Sequence, residues 1–186
     1  MDHQRLLLII IAAVVVVGLL LVAWIVSRRR RTELLQSRFG PEYERTVREV
    51  GTSRAEQTLL DRARRVENFH ICELTADERE RFIAEWRIAQ SRIVDEPHQA
   101  VTQADRLVDQ LILTRGYPVA DFDQRAADIS VDHPRVVDNY RAARQIALRH
   151  RGEASTEELR RAILYYRSIF DDLLHDELAD RRKEVA

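Results

Sequence analysis

From Leu6 to Val26 the chain reads LLLIIIAAVVVVGLLLVAWIV, 21 residues without a charge or a proline. A helix of that length rises about 31 Å, the thickness of a bilayer core, and only a helix satisfies its own backbone groups there. A cleaved signal peptide has a shorter apolar core, of about 7–15 residues, and a small-residue cleavage site. This run is longer and ends in Trp24-Ile-Val-Ser, followed by Arg28, Arg29, Arg30 and Arg31. The reading is therefore a retained transmembrane helix. Trp24 suits the aromatic belt of the interface, and the four arginines suit anionic headgroups at about 1 kcal/mol per basic residue. Only Arg5 and the α-amino group stand on the other side, so the positive-inside rule puts the N-terminus outside and the C-terminal domain in the cytoplasm. Gly18 stands alone in the run, without the GxxxG spacing of a helix-dimer motif.

The charges look balanced, at −1 over the 186 residues, until they are mapped. The first 31 residues hold five basic groups and one acid, which leaves 25 basic against 30 acidic over 32–186, a balance of −5. An acidic body argues against a nucleic-acid partner, which requires a basic surface. Five Gly and four Pro, with Arg, Glu, Ala and Leu abundant, favour helix throughout. Cys72 is the sole cysteine, so the chain has no internal disulfide.

Helix signals follow one another along the rest of the chain. Thr32 to Arg38 continues the first helix up to Phe39-Gly40-Pro41. A second helix follows from Glu42 and breaks at Gly51, where Ser53-x-x-Glu56 reads as a capping box. The stretch 42–70 is highly charged with a thin apolar stripe (Leu59, Ala63, Val66), the look of a stalk or of a short coiled coil. Thr75-x-x-Glu78 opens a helix with Phe82, Trp86, Ala89 and Ile93 on one face. Pro97 opens another with Ala100, Ala104, Leu107 and Leu111, widened by Val101, Val108 and Ile112. Gly116 and Pro118 stop it.

A short helix over Asp121–Asp128 leads to Asp132-His133-Pro134. Pro134 then starts a helix that carries Val136, Tyr140, Ala143 and Ala147. Ser155-x-x-Glu158 caps the last one, with Leu159, Ala162, Ile163, Tyr166, Ile169, Phe170 and Leu173 on its apolar side. No stretch alternates with the period of a strand. The expectation is an all-α protein, one N-terminal transmembrane helix followed by an antiparallel helical bundle. Its parts are a transmembrane anchor with a basic flank (1–31), a charged helical stalk (32–71), the bundle (72–178) and a frayed tail (179–186).

Chemistry-bearing residues are few. The connection 115–135 is the longest irregular stretch, and loops carry function more often than cores do. Its binding candidates are Tyr117, Phe122, Asp132, His133 and Arg135. His133 beside Asp132 could serve as a general base, although Asp ahead of Pro134 reads better as helix capping. Asp172-x-x-His175 has the spacing of a carboxylate-bridged metal site but lacks the second such motif that a site needs, so it reads as a solvated face. Cys72 and His70, among Phe69, Ile71 and Leu74, read as a buried inert thiol and its neighbour. No phosphate loop, nucleotide fold pattern, nucleophile elbow or zinc spacing occurs. The reading assigns no catalytic residue, no metal and no cofactor.

The phrases RFGPEYER (38–45), RGYPVADFDQRAADISVDHPRVVDNYRAA (115–143) and RGEASTEELRRA (151–162) resemble those of a family of small bacterial membrane-anchored or secreted proteins to which no activity is attached. The similarity spans about residues 36–175. It implies that this stretch is one unit and carries no catalytic residues over. The expected function is that of a single-pass protein of the bacterial inner membrane, displaying a non-catalytic interaction or scaffold module to another protein. The alternatives are a tethered ligand-binding or hydrolytic domain with a site near 115–135, and a domain on the extracytoplasmic side.

Overall fold

The computed structural model describes the backbone of residues 3–149 and 153–175, and the side chains of those ranges from residue 16 onward. The described residues form eight helices and no strand. These are α1 (His3–Phe39), α2 (Pro41–Val50), α3 (Thr52–Glu67), α4 (Ala76–Ser91), α5 (Pro97–Thr114), α6 (Phe122–Asp132), α7 (Val137–Ala147) and α8 (Thr156–Leu174). The protein is all-α. No helix among the described residues is long and apolar enough to cross a membrane. The first ten side chains of the Leu6–Val26 run lie outside the described residues, as does the tail 179–186.

Helices α4, α5, α7 and α8 make the bundle, and side-chain pairs give its directions. His133, Asn139 and Arg149 meet Asp172, Ser168 and Glu158 in turn, so the α7 segment and α8 run antiparallel. Asp105 and Asp109 meet Arg144 and Tyr140, which sets α5 against α7. Arg79 reaches the Leu174 carbonyl and Trp86 stacks on Phe170 at 4.6 Å, which sets α4 against α8. Apolar stripes at helical spacing face the centre. All seven stripe residues expected for α5 and all seven for α8 are buried. Thr75 and Ser155 each form the full capping box, with Glu78 and Glu158 returning a bond to the cap. Those bonds and Arg149 hold the Glu158 carboxyl at about 2.

The segment 32–71 is not a free stalk. The end of α1 turns at Gly40 (φ 47°) into α2, and α2 turns at Gly51 (φ 79°) into α3. Leu35, Phe39, Tyr43, Leu59, Ala63 and Val66 then close a second, smaller core against Val131 of α6. The thin stripe suffices because three short helices share it, and Phe69 packs on both cores. The capping box at Ser53 does not form. Gly51 occupies the cap position without a side-chain bond, and Glu56 turns inward to accept from the hydroxyl of Thr32 at 2.6 Å.

Charge joins the small core to the bundle. Glu42 of α2 is buried and its two oxygens accept from both terminal nitrogens of Arg141 on α7, at 2.6 and 2.9 Å. Arg62 of α3 donates to the same carboxylate at 2.8 Å. Arg65 of α3 pairs with buried Asp128 of α6. Burial alone pushes the Glu42 carboxyl up, yet the hydrogen bonds and charges of Arg141 and Arg62 outweigh it, and the net shift is downward.

A carboxyl lowered in the folded state contributes stability that is complete above its ordinary value of 4.5 and is lost as the pH falls through the folded-state value. Glu42→Gln is therefore expected to destabilise the chain by about 2 kcal/mol at neutral pH, the cost of removing a buried charge from two partly buried guanidinium groups. Urea unfolding from pH 7 down to 3 should show the parent and variant curves converging only below pH 4.5. Parallel curves over the whole range would remove Glu42 from this role.

Candidate functional site

The stretch 115–135 is less open than its sequence suggests. Gly116 follows α5 at φ 94°, and a Cβ there would lie 2.1 Å from the carbonyl oxygen of His70. The irregular passage 68–75 crosses the end of α5 at this point, with the Cys72 amide donating to the Arg115 carbonyl at 3.0 Å. The side chain of Cys72 is exposed and its thiol donates to the Thr114 carbonyl, against the expectation of a buried thiol. Its neighbours Phe69 and Ile71 take the apolar positions instead.

Four of the five candidates turn into the protein or onto it. Tyr117 is buried, its hydroxyl donates to Asp132 at 3.0 Å, and its ring meets Phe69 edge-on. Phe122 begins α6 behind the Asp121 cap and rests 4.9 Å from the Tyr140 ring, with the Arg144 guanidinium over its other contact face. Asp132 and His133 lie at the end of α6, and α7 starts only at Val137 with no side-chain cap. The capping role expected of Asp132 is thus replaced by the bond from Tyr117. Arg135 alone is exposed. A shallow cleft between α3 and α6, lined by Thr58, Arg62, Arg65, Asp123 and Gln124, includes none of the five.

His133 is buried and its Nδ1 lies 2.5 Å from Oδ2 of Asp172, whose side chain is half exposed. The second ring nitrogen is shut away from solvent. A histidine held by a carboxylate on one nitrogen has the form of an oriented general base, but its working nitrogen must reach a substrate proton. Here it faces the interior. The pair instead ties the α6–α7 corner to the last turn of α8. Asp172, read from sequence with His175, finds its partner 39 residues away.

A second polar layer went unread in the sequence. Tyr166 donates to Asp105 at 2.6 Å, and Arg144 pairs with the same carboxylate. One turn on, Tyr140 donates to Asp109 at 2.9 Å, and Arg125 pairs with it at 2.5 Å. Burial raises the Asp105 carboxyl above its ordinary value, and burial beside these carboxylates raises both tyrosine hydroxyls. Protonated tyrosines and paired charges make this layer a set of bolts between helices. The Asp105/Asp109 spacing on one helix was the available signal, but the four partners come from three other helices.

Gly116→Ala is expected to cost about 2–4 kcal/mol, because both the φ and the space forbid a Cβ. His133→Ala should cost about 1–3 kcal/mol through lost packing and a lost bond, and Arg135→Ala should stay within about 0.5 kcal/mol. Denaturant midpoints of the three variants check the order. A costly Arg135→Ala would mean that this corner is built differently.

No protein-family model matches the chain, and neither a characterised protein nor a solved structure is significantly similar to it.

Proposed function

We propose that the chain is a single-pass membrane protein whose helical module engages a protein partner and performs no chemistry of its own. The observation that carries this reading is the exposure of α1. From Val16 to Val26 its large apolar side chains are 43–65% exposed, an apolar surface that no described residue covers. Water does not tolerate such a surface on an isolated helix, whereas acyl chains do. The same helix runs on without a break through Arg28–Arg31 into the module, where Leu35 and Phe39 are buried. The Arg28 guanidinium sits 5.5 Å from the centre of the Trp24 ring, a pairing suited to the headgroup level. The arginine cluster then favours a cytoplasmic module in a bacterial inner membrane.

The interaction role rests on what the polar residues do. Tyr117, Asp132 and His133 serve the packing of the module, and the family resemblance over 36–175 fits a single structural unit rather than a reaction centre. RFGPEYER builds the α1–α2 turn and the Glu42 clamp, and RGYP builds the crossing at Gly116.

Membrane fractionation and topology fusions test the reading together. The full chain is expected to remain with membranes after an alkaline carbonate wash, and deletion of 1–31 should release it. A C-terminal phosphatase fusion should be inactive and a C-terminal fluorescent protein bright. A washable full chain would overturn the anchor, and an active phosphatase fusion would overturn the orientation.

A further inference from the structure

At the end of the bundle where α4 finishes and α5 begins, the helices leave a half-open cleft of about 520 Å³. Its floor is apolar, made by Val101, Ala147 and Leu159. Its walls carry Arg92 from beyond α4, His98 and Arg106 from α5, and Arg149 from beyond α7. Gln99 and Gln103 add neutral donors, and no carboxylate is among the lining residues that are described. This stands against the charge of its surroundings, since residues 32–186 carry a balance of −5.

The arginines are not fully spent on the protein. Arg92 donates to the neutral oxygen of Gln103 at 3.1 Å. Arg149 is paired with one oxygen of Glu158, whose other oxygen accepts from the Ser155 cap. Arg106 is exposed and makes no ion pair among the described residues. The nearest carboxylate on its own helix, Asp105, is committed to Arg144 and Tyr166. Three exposed guanidinium groups, one of them paired with Glu158, stand around an apolar floor and concentrate positive potential in a concave space. Guanidinium forks match phosphate oxygens two at a time, and the volume is that of a small-ligand site.

We propose that this cleft binds a small phosphate-bearing anion, with Arg92, Arg106 and Arg149 donating to its oxygens. The site is distinct from the connection 115–135 and does not depend on the membrane reading. Its ligand class is a phosphate ester or diphosphate of small size, because a volume of about 520 Å³ is that of a small-molecule site.

Calorimetric titration of the full chain with pyrophosphate, against sodium chloride of matched ionic strength, tests the proposal. One saturable site is expected, and Arg106→Ala and Arg92→Ala should each weaken it at least tenfold while circular dichroism and the unfolding midpoint hold. Replacing Arg28–Arg31 by Gln should leave the affinity unchanged. The proposal is overturned by an absence of saturable binding, by parent affinity retained in both cleft variants, or by affinity lost only with the Arg28–Arg31 replacement. The last outcome would place the anion on the basic flank.

Discussion

One buried carboxylate connects the two halves of the molecule. Glu42 is held by Arg141 of the bundle and Arg62 of its own subcore, so α2, α3 and α7 meet at a single point. A lone ionised carboxylate in that position would be untenable, and the two partly buried guanidinium groups would lose their shared counter-charge without it. The three therefore come together or not at all. Because α1 is continuous from the apolar run to Phe39, and Phe39 lies in the same subcore as Tyr43, this clamp also sets the angle at which α1 leaves the module.

The bundle interior repeats the device. Asp105 and Asp109 lie one turn apart on α5 and reach Tyr166, Arg144, Tyr140 and Arg125 on three other helices. Apolar stripes alone allow helices to slide or rotate by a residue, whereas paired charges accept one register. The interior therefore combines a large apolar core with a few ionic bolts. This explains why so charged a chain still closes a core, and why its polar residues are mostly engaged with each other. The cleft beside Arg106 departs from that pattern, since three arginines gather there and only Arg149 has a carboxylate partner, Glu158.

Helix positions were largely legible in the sequence. The stripes of α5 and α8, two capping boxes, the stops at Gly51 and Gly116 and the short α6 all follow from local rules of periodicity and capping. The misreadings share a cause. Ser53-x-x-Glu56 has the form of a capping box, yet Glu56 finds a better partner in Thr32, 24 residues away. Asp132 looked like a cap ahead of Pro134, yet the Tyr117 hydroxyl claims it. Cys72 looked buried by its neighbours, yet the crossing over Gly116 turns its side chain outward. In each case a distant group outbid a local one.

The sequence by itself determined the helical class, the apolar run at Leu6–Val26 with its arginine flank, and the faces that the bundle helices bury. These depend on residues within one or two turns of each other. Only the tertiary structure decided that 32–71 packs as a subcore, that His133 belongs to Asp172, and that three arginines from separate segments line one cleft. Those pairings join positions tens of residues apart, and nothing in local spacing encodes which helix will arrive beside which. Hydrophobic periodicity tells a helix which side to hide, while the choice of neighbour is made by shape and charge once the helices meet.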